Sequence, residues 1–356
     1  MPESIAQRAR KINMKTFNLC LLGFGNVGRS ISYLLVAKPA ELLGECDVEW
    51  RVTGVASRSL GWLVMPGGLT AEQLMLEDLL LGGLKQRVSP APNDVKEWLA
   101  AAGCDVLFET TSLEPLTGEP AVSYARAGLE HGAHVITANK GTLVHAYREL
   151  SELARARGRR FMFEAAVGEF PVFSLFRNSL PGVSLKAFSG VLNSTTTLVL
   201  DEMAAGRTFD EGVRRAQALG VAETDPAHDV DGWDAAVKAC ALANVLMGAS
   251  LRLEEISREG IRGLSDGEVR AAHAEGRPFR LVARARRGEG GRVSASVRPE
   301  QTEPRGPFGS VTGTTLAIHY ELDVLSGLTV VAHDPDLKST AYCLLADLIE
   351  AVRADL

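Results

Sequence analysis

Two clusters in the sequence have residue types and spacings suited to chemistry. The first, Gly23-Phe24-Gly25-Asn26-Val27-Gly28, fits G-x-G-x-x-G. It follows an apolar run ending at Leu22 and opens a stretch of helical periodicity, the setting in which this pattern binds a dinucleotide. Gly23 permits the tight turn, Gly25 lets the backbone approach a pyrophosphate, and Gly28 lets helix and strand pack closely. Asn26, Val27 and Gly28 bring free N–H groups and the positive end of a helix dipole to the phosphates. The second cluster runs from Asp229 to Lys238, Asp-Val-Asp-Gly-Trp-Asp-Ala-Ala-Val-Lys. Asp234 and Lys238 are spaced i, i+4, so they share a helix face, and that face also carries Ala241 and Leu242. A charged pair on an apolar face is expensive unless paired or used. Glu223 and Asp229 are polar loop residues just before it. A solvated surface ion pair is the plainer reading that the pattern leaves open.

Cofactor choice is set at the end of the second strand, where an NAD-selective site carries Asp or Glu for the ribose. Here the strand ends Val55-Ala56-Ser57-Arg58, without a carboxylate. Arg58, beside Ser57, is placed to face a 2′-phosphate, which favours NADP over NAD. Thr111, just past the third strand, joins the cofactor-binding set.

These residues must be positioned by alternating strands and helices. Phe17 to Leu22, Val48 to Ala56, Asp105 to Glu109 and His134 to Thr137 read as buried strands, with helices over Gly28 to Leu43, Glu72 to Leu81, Val95 to Ala102, Ala121 to His131 and about Ala146 to Arg157. Single-helix crossovers imply a doubly wound parallel sheet of Rossmann type, an α/β domain over residues 17–150. From 151 to 304 the pattern becomes α+β. Lys186 to Leu192, Phe279 to Ala285 and Arg292 to Arg298 read as strands, and a helix runs from about Gly232 to Met247. The tail from 305 to 356, with a strand at Leu328 to Ala332 and a helix at Thr340 to Val352, is expected to return to the first sheet. Residues 1–16 read as a flexible extension.

With these elements in place, several segments agree in order with one family. Gly220-Val221-Ala222-Glu223-Thr224-Asp225-Pro226, followed by Asp229 to Lys238, is very similar to the signature of homoserine dehydrogenases. Gly23 to Gly28 matches that family's nucleotide turn, and Thr137-Ala138-Asn139-Lys140-Gly141 its Thr-Ala-Asn-Lys segment. Ser189 to Thr196 resembles its Gly-x-x-Asn-Gly-Thr-Thr loop. The resemblance implies a Rossmann domain that includes the chain end, a catalytic domain that also dimerises, and a short form without regulatory or kinase domains. It implies NAD(P)-linked interconversion of L-homoserine and L-aspartate 4-semialdehyde, within threonine and methionine biosynthesis. By position, Lys238 and Asp234 would handle the hydroxyl proton, and Lys140 would be a second acid–base candidate between nicotinamide and substrate. Glu223 would bind the amino group. Ser194 and Thr195 would lie at the substrate with Asp229, and main-chain carbonyls around Glu164 and Val167 would hold a monovalent cation.

Three segments depart from the pattern. Ser194 replaces a glycine in the Asn-Gly-Thr-Thr loop. Glu164-Ala165-Ala166-Val167-Gly168-Glu169-Phe170-Pro171 is one residue shorter than the family's Glu-Ala-x-Val-x-Gly-Gly-x-Pro. A late glycine-rich loop is replaced by Ala332-His333-Asp334-Pro335-Asp336-Leu337-Lys338. Two alternatives follow from them: a related dehydrogenase for another small amino or hydroxy acid, and a dinucleotide-binding protein without turnover.

Composition narrows the remaining classes. The 356 residues carry 38 Lys and Arg against 44 Asp and Glu, a net charge of −6, which argues against a nucleic-acid partner. No apolar run approaches the roughly 20 residues of a membrane span, so no membrane association is expected. The five cysteines are scattered without C-x-x-C pairs, as reduced core thiols of a cytoplasmic protein would be. A homodimer or homotetramer is expected.

Overall fold

A computed structural model describes residues 15–38, 48–76 and 93–353. The expected extension up to residue 14, the second half of the helix expected to reach Leu81, and the stretch 39–47 containing Cys46 lie outside the described residues. The described chain forms two compact units, one of 15–142, 146–166 and 337–353, the other of 143–145 and 167–336.

The first unit is built on a six-stranded sheet. In chain order it contains β1 (Lys15–Leu22), α1 (Asn26–Ala37), β2 (Val48–Ser57), β3 (Gly61–Val64), α2 (Ala71–Leu74), α3 (Val95–Ala102), β4 (Val106–Glu109), α4 (Ala121–His131) and β5 (His134–Thr137). Then follow α5 (Lys140–His145), whose end belongs to the second unit, α6 (Tyr147–Ala156) and β6 (Phe161–Met162). The strand order is β3-β2-β1-β4-β5-β6. All neighbours are parallel except β3, which turns back antiparallel on β2, an edge hairpin that the sequence reading did not anticipate. Two buried faces explain why these strands are near-continuous apolar runs. Leu19, Leu21, Val55, Phe108 and Ile136 pack with Ile31 and Leu35 of α1 in one core.

The second unit carries β7 (Leu185–Val191), α7 (Ser194–Ala204), α8 (Phe209–Ala218), α9 (Ala227–Val230), α10 (Trp233–Leu246), β8 (Ser257–Arg258), α11 (Asp266–Ala274), β9 (Phe279–Arg287), β10 (Val293–Gln301), β11 (Leu316–Leu322) and β12 (Leu328–Ala332). Its sheet has the order β12-β11-β7-β9-β10-β8 and is antiparallel except for β8 beside β10. Helix α10 packs on β9 and β10 and is buried from Ala235 to Val237 and from Ala239 to Asn244. Arg284 and Arg286 of β9 are exposed and ion-paired, Arg284 with Glu300 and Arg286 with Glu321, whereas Arg280 of the same strand is buried against Asp201.

Two expected boundaries change. The first unit runs to Ala166 rather than 150, because β6 completes its sheet and residues 164–166 pack against β5 and the last helix. The tail returns only at α12 (Leu337–Arg353), not at 305: β11 and β12 pair with each other and, through β7, with the second sheet. Ala341, Leu344 and Leu348 of α12 bury into the first core, and Asp347 accepts the Glu164 N–H at 2.7 Å.

Candidate active site

The glycine turn stands where the spacing requires. Gly23 has φ +92°, donates its N–H to Ala56 O at 2.8 Å, and accepts from Thr110 Oγ1 at 2.6 Å. Gly25 is the N-cap of α1, and the first intrahelical bond runs from Arg29 N to Gly25 O, so the N–H groups of Asn26, Val27 and Gly28 precede the helical ladder. A Cβ on Gly25 would meet nothing within 4 Å, whereas one on Gly28 would lie 2.2 Å from Gly23 O. The first is a surface left bare for a ligand, the second a close packing contact. A cavity of about 730 Å³ opens over this turn, lined by Gly23, Gly25, Ser57, Arg58, Thr111 and the Trp62–Tyr124 edge contact among others. Size, bare backbone and helix terminus fit a dinucleotide.

One residue of this region escaped the sequence reading. Glu109, fully buried at the end of β4, accepts from both the N–H and the hydroxyl of Thr111 and from Thr137 Oγ1 at 2.7 Å. Burial pushes its carboxyl above the usual range against these donors. Thr137 in turn accepts from Asn139 N, and Asn139 caps α5 through Gly141 N while donating to Thr111 O and Ser112 O. Glu109 thereby ties the Thr111 loop to the segment whose next residue is Lys140. A glutamate inside an apolar strand was the available signal.

In the second unit the charged pair is real and inward. Lys238 Nζ lies 3.1 Å from Asp234 Oδ2 and donates to Leu192 O at 2.6 Å, with side chains 12% and 20% exposed. Asn193, the N-cap of α7, accepts Thr196 N on its Oδ1 and gives its amide hydrogens to Asp229 at 2.7 Å and Asp234 at 3.1 Å. Three elements thus converge: the end of β7, the α9 turn and the first turns of α10. Asn193 as their hub follows from its cap position, since an Asn just before a helix is spent on the cap. Burial alone would lower the Lys238 pKa, but Asp234, Glu169 and Asp229 together hold it above the ordinary lysine value. Asp229 is raised by burial and by Asp234.

The other expected residues are placed less directly. Thr195 is buried and donates to Val221 O at 3.2 Å. Ser194 spends its hydroxyl on Thr314 O at 2.8 Å, anchoring a loop that Asp201 and buried Arg280 hold through Gly313 N and Val311 O. This explains a serine where the family pattern has glycine. Glu223 is exposed, its carbonyl and that of Thr224 held by Gln217. Lys140 begins α5, partly buried, in the first unit. Glu164 and Val167 are buried. Among the described residues no group of three or more His, Cys, Asp and Glu side chains is arranged for a metal. Asp334, in the altered late loop, has φ 46° and accepts from Thr314 Oγ1.

A dinucleotide turn on a Rossmann sheet and, in the second unit, a buried lysine–aspartate pair are features expected of a nicotinamide-dependent oxidoreductase. Comparison with known proteins makes the class specific. Residues 23–164 match the family model for the homoserine dehydrogenase NAD-binding domain, and residues 171–349 the model for homoserine dehydrogenase itself. A relative from Pseudomonas canavaninivorans, an NAD(+)-dependent homoserine dehydrogenase, is 34% identical over 94% of this chain and 96% of its own. A homoserine dehydrogenase from Methanocaldococcus jannaschii is 29% identical over 93% of this chain and 97% of its own. The solved structure of a putative homoserine dehydrogenase from Archaeoglobus fulgidus superposes with TM-score 0.80 at 28% identity, covering 94% of this chain and 98% of that one. The chain belongs to the homoserine dehydrogenase family. Among the described residues no helix is long and apolar enough to cross a membrane.

Proposed function

We propose that this chain interconverts L-homoserine and L-aspartate 4-semialdehyde, with NADP preferred over NAD. The observation that carries the reading is the Lys238–Asp234 pair fixed by Asn193 and Leu192 O. Lys238 exchanges the proton of the C4 oxygen, Asp234 orients it, and Lys140 is the alternative proton-transfer group. Glu223 offers its carboxylate to the substrate ammonium, and Thr195, Asp229 and the Ser194 main chain border the substrate. When bound at the glycine turn, NAD(P) supplies the acceptor or donor of hydride. A monovalent cation at the carbonyls of Glu164 and Val167 remains part of the proposal and carries no step. Self-association as a homodimer or homotetramer and a cytoplasmic location belong to the same reading. The test is NAD(P)H formation with L-homoserine against a panel of related amino and hydroxy acids. Turnover confined to another member of the panel would replace the substrate.

Cofactor preference rests on Arg58. It lines the cavity, is exposed, and stands at the end of β2 where no carboxylate occurs. A mutant of a hyperthermophilic archaeal homoserine dehydrogenase has been solved in complex with NADPH, and the Pseudomonas relative is named for NAD(+). Charged hydrogen bonds from Arg58 to a 2′-phosphate are expected to contribute about 1.5–3 kcal/mol, tenfold or more in affinity. Calorimetric titration of both cofactors into wild type and Arg58→Ala measures this. Equal affinities in wild type, or equal losses in the variant, sink the assignment.

The sign of the pH dependence follows from Lys238. A lysine held above its usual value is charged at neutral pH, which suits donation to an aldehyde oxygen. Oxidation of the alcohol needs the neutral amine, so its rate is expected to climb through the alkaline range while reduction declines there. Asp234→Asn removes a negative charge, so it should move the oxidation limb to lower pH. Rate profiles in both directions check this, and an oxidation limb centred near pH 7 in wild type contradicts it.

A further inference from the structure

We infer that Glu169 receives the α-ammonium of the substrate and so makes the site selective for an amino alcohol over the same alcohol without nitrogen. This rests on the homoserine reading above. Glu169 lies in the shortened segment Val167-Gly168-Glu169-Phe170-Pro171, where the family pattern has glycines. The change puts a carboxylate in place of bare backbone. Its neighbours Val167, Gly168 and Phe170 are buried. Glu169 is itself partly buried, and its Oε2 is sealed from solvent with no hydrogen-bond donor. A carboxylate oxygen in that condition is open to an N–H donor brought by a ligand.

The surroundings indicate which donor fits. The negative charge of Glu169 acts on Lys238, as do those of Asp234 and Asp229. Asp234 is engaged with Lys238 and Asn193, and Asp229 with Asn193. Three acidic charges therefore act on a single lysine, which leaves room for the positive charge of a substrate ammonium. In homoserine the nitrogen and the reacting oxygen are four bonds apart, about 4–5 Å at bond lengths of about 1.5 Å. A hydroxyl presented to Lys238 Nζ thus carries its ammonium into the reach of the carboxylates around that lysine. Of these, Glu169 has the buried oxygen without a donor. The ammonium has three N–H groups, so Glu169 and Glu223 can both accept from it.

The experiment compares wild type and Glu169→Gln in steady-state oxidation of L-homoserine, with 4-hydroxybutanoate as competitive inhibitor. The expected result is a KM for homoserine raised about 10- to 100-fold, kcat within about threefold, and an unchanged Ki for 4-hydroxybutanoate. An unchanged KM overturns the inference, as does an equal rise in KM and Ki, which marks a general disturbance of the pocket. A shift confined to the pH profile of kcat also overturns it, since Glu169 would then serve only the charge of Lys238. Cofactor affinity of the variant reports its folding. If Glu169→Gln fails that check, Glu169→Asp keeps the charge and shortens its reach, and the same split between KM and Ki decides. Wild type inert towards homoserine removes the homoserine reading and this inference with it. Active wild type with an indifferent variant removes the inference alone.

Discussion

Lys238→Met is expected to lower kcat by about 10²–10⁴-fold, the usual contribution of a general acid–base group. Methionine keeps the length and apolar packing of the lysine stem while deleting the amine that stands 2.6 Å from Leu192 O and 3.1 Å from Asp234. The cofactor turn belongs to the other unit, so cofactor affinity should stay within about twofold. Asp234 loses a charged hydrogen bond but keeps Asn193, and stability should fall by about 1–3 kcal/mol. The loss belongs to the transition state, so kcat and kcat/KM should drop together. Asp234→Asn should be milder, because the amide can still accept from Lys238. Single-turnover and steady-state rates of both variants, with Lys140→Met alongside, assign the roles. Near-normal turnover in Lys238→Met with an inactive Lys140→Met means the roles are reversed. Full activity in both removes the proposed mechanism.

The second large effect is expected at the glycine turn, where two glycines of one motif should fail in different ways. In Gly28→Ala the new Cβ would sit 2.2 Å from Gly23 O, backbone against backbone, with no flexible side chain to yield. The turn or α1 must shift, at about 3 kcal/mol or more of stability, and cofactor affinity should fall on the order of 100-fold as the turn deforms. Gly25→Ala meets nothing within 4 Å, and Gly25 has φ −83°, open to any residue. It should keep wild-type stability and lose cofactor affinity alone, by about tenfold, because the methyl occupies the place of the pyrophosphate. Thermal unfolding and calorimetric titration separate the two outcomes. Intact cofactor binding in Gly25→Ala would mean that the bare backbone faces something other than a phosphate.

How much of this was legible without coordinates divides along physical lines. Contiguous signals were. The G-x-G-x-x-G turn, the buried strands beside it and the i, i+4 pair Asp234–Lys238 are local patterns whose geometry follows from strand and helix periods, and they gave the fold class and the family. The sequence by itself therefore determined the kind of fold, the chemistry and the lysine to test. Contacts between distant segments were not legible. Strand β12 is apolar enough for either sheet, and only pairing with β11 assigns it to the second. The unit boundary moved to Ala166 because β6, a strand of two residues, is too short to carry a period. Asn193, Asp229 and Asp234 are separated in sequence and meet because β7, α9 and α10 converge, so the hub and the raised pKa of Lys238 are tertiary facts. Glu223 looked equal to the others and lies exposed. Glu109 and Glu169 carry no local pattern that marks a role, and burial, which no such pattern encodes, gives each its place: Glu109 satisfied by three donors, Glu169 with an oxygen that has none.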